Sequence, residues 1–180
     1  LELRDSSTVM ARCFLGDRPV SSISRAEFRK VVPRPAVQTL SQRPGLNVQV
    51  YLGDFDALPD FNTLKPDSET STERVDLSAQ PRPERFALRL TGFIDAPETG
   101  VYTFHLDSDD GSRMLIGNTT VVDNDGLHSA LEKSGTIALA SGLHPITIEY
   151  FEKTGQDDLE LEWSGPGVER TVVPAGRLVR

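Results

Sequence analysis

The strongest constraint in this sequence is a succession of short runs in which apolar and polar residues alternate, each closed by a turn. Phe86-Ala-Leu-Arg-Leu-Thr-Gly92 sends Phe86, Leu88 and Leu90 to one side and Arg89 and Thr91 to the other. Residues 101–106 set Tyr102, Phe104 and Leu106 against Thr103 and His105. Residues 145–152 put Ile146, Ile148 and Tyr150 on one face, and Leu159-Glu-Leu-Glu-Trp163 alternates without a break. Period two belongs to half-buried strands, because successive side chains of an extended chain point to opposite faces. Turns at Glu98-Thr-Gly100, Asp109-Asp-Gly111, Asn124-Asp-Gly126, Ser141-Gly142 and Thr154-Gly155 separate the runs. A strand every roughly 8–12 residues is the signature of an antiparallel sandwich or barrel. No stretch carries helical periodicity, and residues 127–133 leave room for one or two turns at most. The fold class is therefore all-β, an antiparallel β-sandwich. Its expected interior is Phe86, Leu88, Leu90, Tyr102, Phe104, Ile146, Ile148, Leu161 and Trp163.

The start of the chain reads differently. Residues 8–14 and 26–32 suggest two strands around a Gly16-Asp-Arg-Pro19 turn. Two strands do not make a stable domain in water. Prolines 33, 35 and 44 then bracket a stretch, with Ser41-Gln-Arg43 inside it, that reads as an extended connection. The expected organisation is a partial segment over 1–32, a Pro-rich linker over 33–44, and the sandwich over 45–180. The sequence begins at Leu1 with no initiator Met or leader, so it is expected to be a piece of a longer protein, with an upstream domain.

Charge and cysteine content exclude several functions. Residues 1–43 hold eight Lys/Arg and four Asp/Glu, whereas residues 44–180 hold eleven and twenty-three, for a total of −8. An acidic body without clustered cations argues against a nucleic-acid partner. A single cysteine, Cys13, excludes an intrachain disulfide and a cysteine zinc site, and reads as a small buried hydrophobe. His105, His128 and His144 are too scattered to announce a metal cluster. No apolar run approaches the length needed for membrane insertion.

Asp107-Ser-Asp-Asp-Gly111 packs three carboxylates into four positions. Carboxylates this close repel one another. A hard cation that takes six to eight oxygens at about 2.3–2.6 Å would remove that cost, which makes calcium the natural ligand. A polar turn serving backbone geometry accounts for the same residues, and spacing leaves both open. Asp123-Asn-Asp-Gly126 invites comparison with the EF-hand loop, but the first ligand position falls on Val121 and the flanks are strands. It reads as a hairpin turn. A third acidic group, Gln156-Asp157-Asp158, precedes the Leu159 strand and would face the first if the strands were neighbours. The serines lack a G-x-S-x-G setting, no Gly-rich phosphate loop follows a strand, and the carboxylates crowd into turns. The chain is therefore expected not to be an enzyme. Trp163 shares the face of Leu159 and Leu161 and is read as core rather than as a sugar platform.

Taken in order, Phe86-Ala-Leu-Arg-Leu-Thr-Gly92, Gly100-Val-Tyr-Thr-Phe104, Ser108-Asp-Asp-Gly-Ser-Arg113, Val122-Asp-Asn-Asp-Gly126, Gly142-Leu-His-Pro-Ile146, Tyr150-Phe-Glu152 and Leu159-Glu-Leu-Glu-Trp163 resemble the PA-fourteen domain. This β-sandwich is named after a bacterial toxin's protective antigen and also occurs in glycosidases and flocculin-type adhesins. The resemblance covers about residues 45–180. Leu46 to Gly53 and Leu58-Pro-Asp-Phe61 are similar to the opening of versions attached to bacterial carbohydrate-active enzymes. What it implies is carbohydrate recognition. In adhesin members two adjacent aspartates, joined by a cis peptide, hold a calcium that binds sugar hydroxyls; by motif position these are Asp109 and Asp110. A later loop adds ligands, and its counterpart here lies around residues 155–158. Leu3-Arg-Asp-Ser-Ser-Thr-Val-Met-Ala-Arg-Cys-Phe14 and Ala26-Glu-Phe-Arg-Lys30 resemble the last strands of the immunoglobulin-like domain at the end of chitobiase-type hexosaminidases.

These observations set the expectations tested below. The domain is a non-catalytic carbohydrate-binding module of a secreted, periplasmic or cell-surface bacterial glycoside-processing protein. Its partner is a glycan or polysaccharide, and its cofactor is calcium. Metal ligands are expected among Asp107, Asp109, Asp110 and Asp157, with Arg113, Asn124 and His128 bonding outer sugar hydroxyls beside Asp109 and Asp110. Two rivals remain: a structural spacer that binds nothing, and the tail of a hexosaminidase- or fucosidase-like hydrolase whose catalytic domain lies upstream.

Overall fold

In the computed structural model, which describes residues 3–39 and 43–180, the chain divides into two units, Leu1–Val32 and Pro33–Arg180. In the first, β1 (Ser7–Ala11) and β4 (Ser24–Phe28) form an antiparallel ribbon with Ser7 opposite Phe28 and Ala11 opposite Ser24. Between them, β2 (Phe14–Leu15) and β3 (Arg18–Pro19) make a two-residue hairpin. Met10, Phe14, Leu15, Ile23 and Phe28 are all exposed, because a two-stranded ribbon has no second layer to cover its apolar face. Cys13 is exposed as well, contrary to the buried position expected of it. It follows the end of β1, and its N–H donates to the Ser21 Oγ at 2.9 Å.

The second unit carries its own core. Its larger sheet contains β5 (Leu46–Leu52), β6 (Ser68–Thr72), β7 (Phe86–Ala96), β9 (Ser112–Ile116), β10 (Thr119–Asn124), β12 (Gly142–Glu152) and β15 (Leu178–Val179). The order is β10-β9-β12-β7-β5-β6, and β15 pairs with β7 at Phe93 and Ile94, beyond the end of β5. The smaller sheet has β8 (Gly100–Asp109), β11 (Leu131–Leu139), β13 (Asp158–Gly165) and β14 (Val168–Val172), in the order β11-β8-β13-β14. All of the named sheet pairings are antiparallel. Between the sheets lie the nine residues the alternation assigned inward, each no more than 2% exposed. Tyr102 stacks on Trp163 at 5.6 Å between ring centroids, and Phe104 lies 6.3 Å from the same indole.

Because the main unit holds a complete core, deleting residues 1–32 is expected to leave it folded. Thermal unfolding of 33–180 is expected to shift by less than about 2 °C, the equivalent of under 1 kcal/mol at this size. Loss of the cooperative transition would contradict the division.

The edge strands β6, β11 and β14 were the least legible in the sequence: β6 and β14 gave no signal, and β11 reads as a strand only over residues 136–140. Ser68-Glu-Thr-Ser-Thr72 offers no apolar face, and the polar residues 131–134, in the stretch where a helical turn had room, open β11 instead. Edge strands are fixed by backbone pairing and tolerate polar side chains on both faces, so periodicity is silent there. The edges β10 and β11 of the two sheets meet at Gly135. A Cβ there would stand 1.8 Å from the Val121 carbonyl oxygen, so only glycine admits the approach.

The stretch read as a Pro-rich linker is hydrogen-bonded to the strands beside it where it is described. Arg34 N–H donates to the Ala138 carbonyl at 2.8 Å, the Arg34 carbonyl accepts from Ala140 N–H at 2.9 Å, and Val37 N–H donates to the Leu143 carbonyl at 2.8 Å. Its prolines supply the extended backbone, which lies against the β11–β12 turn. Ser41 and Gln42, also read as linker, lie outside the described residues. A loop over residues 53–67 covers the outer face of the larger sheet, where Phe61 joins Tyr51, Ala87 and Phe151 in a second small core. Tyr51 and Phe61 meet edge to face at 5.1 Å.

Candidate functional site

Three connections cross from one sheet to the other at the same end of the sandwich. Residues 110–111 lead from β8 to β9, residues 125–130 from β10 to β11, and residues 153–157 from β12 to β13. The turn after Asn124 is therefore an inter-sheet crossover, not the hairpin turn expected. Along β8 the inward residues run Tyr102, Phe104, Leu106, Ser108; along β12 they run Ile146, Ile148, Tyr150, Glu152. Both faces change from apolar to polar at this end. Ser108 and Ser112 hydroxyls lie 2.7 Å apart, and the Asn124 Nδ2 donates to Ser108 Oγ at 3.1 Å and to the Leu131 carbonyl at 2.7 Å.

The Asp109–Asp110 peptide is cis. Asp110 is buried, and its carboxylate gathers the other two connections: Oδ1 accepts from His128 N–H at 3.1 Å and Oδ2 from Lys153 N–H at 3.0 Å. Asp109 Oδ2 accepts from Ala130 N–H at 3.1 Å, and the Tyr150 hydroxyl donates to the Asp109 carbonyl. Asp110 N–H donates to Glu152 Oε2 at 3.2 Å. Gly111 completes the corner. A Cβ there would stand 2.5 Å from the Phe151 ring and 2.7 Å from the backbone of Gly126.

The result is a carboxylate triplet. One oxygen each of Asp109, Asp110 and Glu152 lies within 4.8 Å of the others. Glu152 has no exposed surface, and its Oε1 has no hydrogen-bond partner among the described residues. Burial, then the neighbouring Asp110 charge, pushes its carboxyl up to about 7. Burial also raises Asp109, with Asp110 as the next contributor, and drives the Tyr150 phenol far above its usual range. Mutually repelling, partly desolvated carboxylates are stabilised in their charged form by a cation. The donor set is all oxygen, as hard divalent ions prefer, so the residues present fit calcium.

Glu152 was missed in the sequence, although a signal existed. It occupies the inward register of a strand otherwise filled by Ile146, Ile148 and Tyr150, where a charged residue needs a reason.

An expected outcome follows for the protein in chelator. The Glu152 folded value lies above its ordinary 4.5, so the fold favours the neutral form. Stability is expected to fall as pH rises from 4.5 through about 7 and to level off above. Glu152→Gln, which keeps an acceptor for Asp110 N–H, is expected to flatten this slope. It should exceed the wild type by up to about 3 kcal/mol at pH 8 and match it near pH 4. Urea midpoints at the two pH values check this.

The other expected site residues divide. Asp157 lines an open depression of about 490 Å³ together with Asp109, Ala130, Gly155, Gln156 and Asp158. Asp158 is the register partner of Asp109. Asp107 lies two residues back on the same outward face, opposite Glu160 and Glu132, and stays outside the triplet. Burial raises its carboxyl, with Asp158 the next cause. Asn124 is fully buried: its Nδ2 donates to Ser108 and Leu131, its Oδ1 has no partner among the described residues, and neither atom is open to a sugar at the surface. Arg113 faces the outside of the larger sheet, where it meets Asp125 at 3.2 Å and Asp123 and Glu149 at 3.6 Å. Three carboxylates already engage it away from the depression. Half-buried His128 sits beside the triplet, but its ring nitrogens lie 2.9 and 3.0 Å from the Asn124 and Ser129 carbonyls. The ring is thus turned toward carbonyls of its own loop, of which a neutral imidazole bonds one through its single N–H.

Residues 42–177 match the family model of the PA14 domain. The chain is 27% identical over 96 residues to the anti-sigma-I factor RsgI3 of Acetivibrio thermocellus, covering 53% of this chain and 15% of that protein. It is 24% identical over 155 residues to a beta-hexosaminidase of Porphyromonas gingivalis, covering 81% of this chain and 20% of that protein. The chain thus spans a fifth or less of the length of these curated relatives. A solved PA14 sugar-binding domain from an RTX adhesin superposes with a TM-score of 0.64 at 18% identity, over 76% of this chain and 98% of that one. At that identity the likeness is one of fold. The sandwich, its aspartate corner and the match over most of its length agree: the chain belongs to the PA14 domain family.

Proposed function

We propose that this domain is a non-catalytic carbohydrate-binding module in which Asp109 and Asp110 hold a calcium ion at the end of the sandwich. The observation that carries the reading is the carboxylate triplet, in which Asp110 and Glu152 are buried and the part-exposed Asp109 lines the depression shared with residues 155–158. Sugar hydroxyls are neutral oxygen donors that compete weakly with water on their own. A protein-bound calcium with open positions accepts two vicinal hydroxyls in place of two waters, which fixes their orientation. The rigid sheets hold Asp109 and Asp110 in place, while residues 155–158 form the rim. Asp157 and Gln156 are the rim groups placed to meet further hydroxyls. A site of this kind suits an extracellular or surface setting, where calcium modules work at dissociation constants of about 10⁻⁴–10⁻³ M. The parent protein, on this reading, acts on or adheres to glycans, and any catalytic domain belongs to another part of that longer protein.

One observation favours a spacer instead. The depression has no aromatic lining, and Trp163 is buried in the core. A glycan array probed with the full chain in calcium and in chelator separates the two. Binding to a defined sugar class in calcium, lost in chelator, supports the module. Binding that survives the chelator removes calcium from the account, and no binding to any glycan supports the spacer.

A further inference from the structure

We propose that Glu152 is a direct ligand of the cation and forms the floor of the site, a role the sequence motif does not assign to it. The inference rests on the reading that Asp109 and Asp110 hold a cation, and it specifies how. Glu152 differs from the other acidic residues at this end of the sandwich. Asp157 and Asp158 belong to the rim and Asp107 to the outward face of β8, whereas Glu152 projects from the inward face of β12 and is fully buried. Its two oxygens are used unequally. Oε2 accepts from Asp110 N–H at 3.2 Å and lies 3.4 Å from the Tyr150 hydroxyl. Oε1, equally buried, has no partner among the described residues. A buried carboxylate oxygen without a donor is costly, and sites of this kind require an explanation.

The neighbours supply it. An oxygen of Glu152 lies within 4.8 Å of an oxygen of Asp109 and one of Asp110. Two oxygens bound to one calcium at 2.3–2.6 Å can stand no farther apart than about 4.6–5.2 Å, so the three fall within the span of a single coordination sphere. The same Glu152 is bonded through Oε2 to the backbone of the aspartate corner, which holds it in place before any ion arrives. Three converging carboxylates also select for charge. A divalent ion offsets their repulsion in a way that a monovalent ion does not.

The test uses calcium chloride alone, without sugar, titrated calorimetrically into the full chain. Wild type, Glu152→Gln, Glu152→Asp and Asp109→Asn are compared, and circular dichroism confirms the fold of each. Substituting groups that only hydrogen-bond to metal ligands already weakens metal binding by about 10–100-fold, so Glu152→Gln is expected to weaken calcium by at least about tenfold. Glu152→Asp keeps the charge but withdraws the oxygens by one methylene, and is expected to lose affinity as well. It also decides the matter if Glu152→Gln fails to fold. Affinity unchanged in Glu152→Gln or Glu152→Asp, with Asp109→Asn still defective, overturns the assignment of Glu152 and leaves the aspartate pair standing. A wild type that takes up no calcium overturns both.

Discussion

Replacing Trp163 by alanine is expected to destabilise the sandwich by about 3–5 kcal/mol, the usual cost of deleting a buried aromatic side chain. The indole is 2% exposed at the centre of the inner face of the smaller sheet. It stacks on Tyr102 with ring planes 22° apart and lies opposite Phe104 in register. Neither neighbour can follow the missing ring, because both belong to β8, which is paired on its two sides by β11 and β13. The cavity therefore stays open. Against a typical total of about 5–15 kcal/mol, the loss takes a large share of the stability. Urea denaturation measures it, and Glu169→Ala, on the exposed β14 edge, serves as the control expected to stay within about 0.5 kcal/mol. A loss for Trp163→Ala below 1 kcal/mol would contradict the core assignment.

Asp109→Asn is expected to lower calcium affinity by about 100-fold or more, since even residues behind the ligands cost 10–100-fold. Glycan binding is expected to fall with it. Asp109 is the cleaner probe of the pair. Asparagine retains an oxygen for Ala130 N–H, so the loop contact survives. Asp110 instead anchors both His128 and Lys153 through its two oxygens, and its substitution would loosen two connections at once. Asp125→Asn is the matched control. Asp125 lies nearby but is engaged with Arg113 and the Leu58 N–H. Calorimetric titration of calcium decides the point. An unchanged affinity in Asp109→Asn would remove this residue from the site.

The sandwich interior was legible because one face of each central strand is buried and the other is not, which writes period two into the sequence. Ile148 and Leu161 lie where that pattern put them. It said nothing of Tyr51, Ala87 and Phe151, outward residues whose burial depends on a loop some distance along the chain. Asp109 and Asp110 were legible by motif, since an acidic pair before glycine is local. Their convergence with Glu152 is not local: it joins positions 42 residues apart through the pairing of different strands. The surroundings of Asn124 and Arg113 were not legible for the same reason. Spacing places a polar side chain near a turn but does not report that Ser108, Leu131 or Glu149 already holds it.

A crystal structure with calcium and the preferred glycan from the array tests the central claim most directly. The account predicts one cation bound by carboxylate oxygens of Asp109, Asp110 and Glu152 at about 2.3–2.6 Å, with two vicinal sugar hydroxyls completing its shell over residues 155–158. A glycan bound on another face of the sandwich, with no cation at the aspartate corner, would contradict it.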